Sequence, residues 1–136
     1  MWSTLLMVAI GGACGALLRF GVSHVSKQVV DDALPAATLA VNLIGCFAAG
    51  FLVRAMGGPW QVPEHLRAGL IVGVLGGLTT FSAFGIETVR MLESGRWVAV
   101  TLFLVANVAG GVACVAFGQA VARVWLAVEP VAGASR

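Results

Sequence analysis

The sequence predicts an all-α integral membrane protein with four transmembrane helices, the third broken mid-membrane, in a single domain over residues 1–136. The first observation is composition. With 60% hydrophobic and 10% charged residues and a mean hydropathy of +0.99, the chain has far more apolar surface than a soluble domain of this size buries. The second is length: about Trp2 to Val25, Pro35 to Ala55, Leu66 to Met91 and Trp97 to Val121 are apolar runs that each reach the roughly 20 residues a hydrocarbon core demands. The third is an interruption, Gly76-Gly77-Leu78-Thr79-Thr80-Phe81-Ser82-Ala83-Phe84, inside the third run. Paired glycines weaken a helix and the Thr-Thr that follows adds stiff β-branched side chains of low helix propensity, so this run reads as two half-helices. Backbone groups freed at membrane depth are tolerated only where protein buries them or a water-filled cavity meets them, which marks a candidate ion or substrate site.

The first run reads Gly11-Gly12-Ala13-Cys14-Gly15-Ala16-Leu17-Leu18-Arg19-Phe20, with small residues spaced for close helix approach. It lacks a basic leader, exceeds a signal-peptide core and carries Arg19 far inside, so it is expected to remain attached. Arg19 either snorkels to the interface or lines an aqueous vestibule. A short polar loop, Ser26 to Leu34, follows.

In the second run Thr38 and Asn42 stand four apart and share a helical face. Asn42 is open to two readings: glue between helices, or a source of uncharged N–H donors for a partly dehydrated small anion. The segment Gly57 to Glu64 reads as a turn, with Trp60 an interfacial anchor.

In the third run Phe81 and Phe84 are core filler or, directly after the break, a pair whose electropositive edges face an anion at a half-helix N-terminus capped by Thr79 or Thr80. Glu87 is a buried partner for an arginine or a vestibule group. The fourth run carries Phe103 and Asn107, the latter open to the same readings as Asn42. The tail after Arg123 is expected to fray.

Charge bears on topology. The net charge of +2 and the absence of a basic cluster with interleaved aromatics argue against nucleic acid. Arg54, Arg67, Arg123 and Arg136 lie with the termini, and Arg19, Lys27, Arg90 and Arg96 lie toward the opposite face. So even a distribution permits insertion both ways and, with it, an antiparallel dimer. Cys14, Cys46 and Cys114 read as small buried packing residues, and His24 and His65 as interfacial. No nucleophile–base pair, metal-ligand cluster or phosphate loop points to an enzyme.

Over nearly its whole length the chain resembles the Fluc (CrcB) family of fluoride channels. The resemblance rests on the glycine-rich stretch ending in Arg19-Phe20, on Thr38-Leu39-Ala40-Val41-Asn42-Leu43-Ile44-Gly45, and above all on Gly76 to Phe84. It implies a multi-pass protein of the bacterial inner membrane that exports fluoride passively and lowers cytoplasmic fluoride. It also implies an antiparallel, dual-topology homodimer with two pores and a central structural sodium ion. Gly76 and Thr79 would then offer backbone carbonyls to sodium. Phe81 and Phe84 would form an aromatic box, Asn42 would donate to fluoride, and Thr38 and Ser82 would line the path. Arg19 would match the family's basic residue on the first helix, in a vestibule or structural role. The chain departs from the family at Ala83, where threonine is frequent, and at Phe103 and Asn107, where tyrosine and serine are usual. Two alternatives have weaker support: a small dual-topology multidrug transporter, for which Glu87 is the candidate proton-coupling acid, and a structural subunit of a membrane complex.

Overall fold

The computed structural model describes residues 1–29, 35–58 and 60–128, and among them there is no strand. Helix α1 spans Trp2–Val29, α2 spans Ala36–Met56, α3 covers residues 64–78, α4 spans Phe81–Glu93 and α5 spans Trp97–Val128. Among the described residues four segments are long and apolar enough to cross a membrane: Trp2–Gln28, Ala36–Met56, Glu64–Glu93 and Trp97–Ala127. The third of these consists of α3 and α4 together, so the chain is a four-span helical protein whose third span is interrupted.

The helices overrun the apolar segments that predict them. Helix α1 continues to Val29 and α5 to Val128, so the residues just after Arg123 are helical rather than frayed. The reason is that hydrogen bonding along a helix is locally self-sufficient, so a polar residue such as Lys27 or Arg123 does not end it. The remainder of the expected tail, residues 129–136, lies outside the described residues, as do residues 30–34 of the first loop.

The break lies within the expected stretch, at its threonines rather than at its glycines. Gly76 and Gly77 are helical, and the extended residues are Thr79 (φ −76°, ψ 151°) and Thr80 (φ −149°, ψ 121°). Gly77 is needed for proximity rather than for bending, because a Cβ there would stand 2.6 Å from the Gly12 carbonyl oxygen of α1. Within α3 the stretch Gly69–Leu75 is a π-helix, a form that recurs at functional sites. Buried Gly69 and Gly73, four residues apart, both present bare backbone to α1, at Met7 and at Val8 and Gly11.

Two helix pairs result: α1 lies against α3, and α2 against α5. Helix α4 closes on α5 through Phe84, Met91, Val100 and Phe103, the main buried apolar cluster. The turn between them is set by Gly95 at φ 68°, where Gly95 N–H donates to the Leu92 carbonyl (3.0 Å) and Arg96 N–H to the Met91 carbonyl (2.9 Å). This is a glycine-terminated helix end that returns the chain sharply, as a span must at the membrane surface. Large apolar side chains including Leu17, Val72, Val98 and Val112 stay exposed, which suits a lipid surround rather than water. Trp60 packs edge to face on Phe51 and on Trp125 near the α2 terminus, with the two indole centroids 5.6 Å apart, so the expected anchor at Trp60 belongs to an aromatic group.

A candidate ion site at the broken third span

The interruption leaves polar backbone in the middle of a span, and one side chain takes up most of it. Asn42 projects from α2, and its Oδ1 accepts from Thr80 N–H at 2.8 Å. Its Nδ2 donates to the Thr80 carbonyl at 3.2 Å and to Asn107 Oδ1 on α5 at 2.9 Å. The direction of this chain is fixed by chemistry. A backbone N–H can only donate, so the Asn42 oxygen faces Thr80 and its nitrogen faces Asn107. Asn107 Nδ2 then donates to the Phe103 carbonyl at 2.9 Å, which can only accept. Three spans are thereby joined at one level through two neutral amides.

Both ends of the break are also held by its own threonines. Thr79 Oγ1 donates to the Leu75 carbonyl at 2.9 Å and closes α3. Thr80 is the N-cap of α4, its Oγ1 accepting from Ala83 N–H at 3.2 Å, with Ser82 Oγ 3.1 Å away. The positive end of the α4 dipole therefore opens at Phe81 and Ser82. Thr79 itself packs against α2: a Cβ on Gly45 would overlap its Cγ2 methyl.

A cavity of about 230 Å³ adjoins this junction, bordered by Asn42, Thr79, Thr80, Phe81, Phe84 and Asn107. The two phenyl rings there are unlike one another. Phe84 is 6% exposed and packs on Phe103, itself 1% exposed, with centroids 5.3 Å apart. Phe81 is 81% exposed, its centroid 5.2 Å from that of Phe84 at a 49° tilt. A polar junction with both rings beside it can hold a small ion among uncharged donors and ring edges.

The relatives of this chain bear on what such a junction serves. The family model described as CrcB-like protein, Camphor Resistance (CrcB), matches residues 6–119. The chain belongs to the CrcB family. It is 42% identical over 118 residues to a fluoride-specific ion channel FluC of Rhizobium leguminosarum bv. trifolii, covering 87% of this chain and 94% of that one. It is 48% identical over 106 residues to a FluC of Azotobacter vinelandii, covering 78% and 86%. A FluC of Pseudomonas fluorescens is 44% identical over 116 residues, covering 82% and 90%. Four membrane-length helices and this membership make the chain a multi-pass membrane protein.

Within this CrcB chain the residues singled out from the sequence fall into three groups. Asn42, Thr79, Phe81, Phe84 and Asn107 meet at the cavity. Thr38 and Glu87 form a second polar station: Thr38 Oγ1 donates to Glu87 Oε1 at 2.9 Å, while Glu87 Oε2 is buried without a hydrogen-bond partner among the described residues. Ser82 joins the first group only through Thr80, Gly76 sits exposed on the last turn of α3, and half-buried Arg19 on α1 does not border the cavity.

Sequence reasoning gave Thr80 too small a part and missed Cys46, which also borders the cavity. The signal for Cys46 is the four-residue interval that continues the stripe from Thr38 through Asn42. None of the cysteines is fully buried as expected: Cys14 is exposed, and Cys46 and Cys114 are half-buried.

Proposed function

We propose that this chain conducts fluoride passively across the bacterial inner membrane and so lowers cytoplasmic fluoride. The observation that carries the reading is the amide junction of Asn42, Thr80 and Asn107 in mid-span, beside the Phe81 and Phe84 rings and the N-terminus of α4. Fluoride gives up water for such partners only if they are small, dipolar and numerous. A fixed cationic group would trap it, and larger halides gain too little or do not fit. Both Asn42 N–H groups are engaged, so an entering fluoride competes with the Asn107 oxygen or the Thr80 carbonyl for one of them. Phe81 and Phe84 present ring edges to the ion, Thr38 and Ser82 supply further hydroxyls, and Arg19 and Glu87 serve the approaches or brace the helices.

The channel works as an antiparallel homodimer of dual topology with two pores. Outward-facing Phe81 and the even distribution of basic residues support this, since a ring so exposed at the ion site is completed by a second copy. The residues present also fit a structural sodium ion. The Thr80 amide, which would otherwise pair with the Gly76 carbonyl in a continuing helix, is bound to Asn42, and the Ala83 amide, which would pair with the Thr79 carbonyl, is bound to Thr80 Oγ1. Gly76 and Thr79 are therefore left with neutral oxygens of the kind that hold a hard cation. Sodium would supply fixed positive charge between the two anion paths. The unfolding midpoint is expected to rise with sodium; equal midpoints in sodium and in N-methylglucamine contradict this assignment.

Bacteria that lack their own fluoride exporter and express this chain should hold cytoplasmic fluoride below that of cells carrying an empty vector when both are challenged. A C-terminal reporter in the same cells should be found on both faces of the membrane. Equal fluoride in both strains contradicts conduction, and a reporter on one face alone contradicts the antiparallel arrangement.

A further inference from the structure

Helices α2 and α5 carry a pair of thiols for which fluoride conduction has no use. Cys46 borders the cavity beside Asn42, Thr79, Phe81 and Asn107. Its Sγ packs on Gly111 of α5, 3.3 Å from where a Cβ on that glycine would stand. Cys114 lies one turn further along α5 on the same face. Because Cα–Cβ bonds tilt toward the helix N-terminus, its thiol leans back toward the level of Gly111. Both thiols are free and half-buried. Among the described residues no third His, Cys, Asp or Glu converges on them, which excludes the four-ligand sites that zinc prefers.

We propose that Cys46 and Cys114 form a two-thiol site for a soft, two-coordinate metal ion, with mercuric ion the best fit, and that filling it obstructs the adjoining cavity. Each S–H bond gives up its proton to water as an S–Hg bond forms, so two protons leave and a neutral dithiolate complex remains. Neutrality matters in a span, where silver(I) or copper(I) between two thiolates would leave a net negative charge next to an anion path. The obstruction rests on the fluoride reading; the metal site does not.

The experiment uses the whole protein reconstituted in liposomes, with mercuric ion as the probe. Intact-mass measurement should find one mercury per chain, and bound mercury should protect Cys46 and Cys114 from N-ethylmaleimide while Cys14 still reacts. Fluoride efflux, each variant compared with its own rate before metal, should fall by about tenfold or more in the wild-type chain and recover with dithiothreitol, as expected when a pore wall gains a bulky occupant. Cys46→Ser should remove the block and Cys114→Ser should weaken it, whereas Cys14→Ser should leave it intact. Mercury found on Cys14 alone, or unprotected Cys46 and Cys114, overturns the site. Protection without slower efflux in a conducting preparation overturns the obstruction. If the chain conducts no fluoride at all, mass and protection still decide the site, so its failure is distinguishable from that of the channel reading.

Discussion

Replacing Asn42 with leucine is expected to abolish fluoride flux. The substitution is close to isosteric but removes the acceptor of Thr80 N–H and the donor to the Thr80 carbonyl. Each backbone group left unpaired in a span costs about 1–3 kcal/mol. Even about 2.7 kcal/mol at the passage of the ion corresponds to roughly a hundredfold loss of rate. Asn107→Leu provides the comparison: it deletes the Asn42–Asn107 bond and the bond from Asn107 to the Phe103 carbonyl but leaves Asn42 on Thr80, so its loss should be smaller. Fluoride-electrode traces of efflux from liposomes measure both. Flux near the wild-type rate in Asn42→Leu would mean that the junction merely packs helices.

The second large effect is expected at a residue with no polar atom in its side chain. A methyl group on Gly45 would overlap Thr79 Cγ2, and Thr79 can turn aside only by giving up the bond from its Oγ1 to the Leu75 carbonyl. Overpacking of this kind costs about 1–3 kcal/mol, and it acts on the residue whose extended backbone makes the break. Gly45→Ala should therefore lower flux by about tenfold. Thr79→Ala in the same chain removes the opposed methyl, so the double variant should recover most of the flux. A double variant no better than Gly45→Ala alone would rule out this contact as the cause.

These two positions also mark how far the sequence could be read. Asn42 was legible because an amide in an apolar run, four residues from a threonine, needs partners. Which partners it takes was not, since Thr80 and Asn107 lie 38 and 65 residues away along the chain. Gly45 gave no signal of its own; its role exists only once Thr79 is placed against it. The four spans were legible from hydropathy alone, their ends less so, because helices α1 and α5 continue to Val29 and Val128, beyond the apolar runs that predicted them. An interrupted third span followed from Gly76-Gly77 and the threonines after them, and of these four residues only Thr79 and Thr80 are extended. Glycine content reports both bending and close packing, and here Gly77 serves the contact with α1. The π-helical stretch had no counterpart in the reading, since a pattern of apolar and small residues does not distinguish one helical pitch from another over seven residues. At the site, the difference between exposed Phe81 and buried Phe84 depends on Phe103 of α5, which no local pattern could assign.

That a bare fluoride ion crosses at the amide junction is tested most directly by loading liposomes with equal fluoride and chloride, at the same pH inside and out. Efflux of the two anions is then followed with ion-selective electrodes once potassium and valinomycin allow charge to move. Rapid fluoride release with chloride retained, and no fluoride release without valinomycin, is the expected result. Release of both anions at the same rate, or of neither, would contradict it.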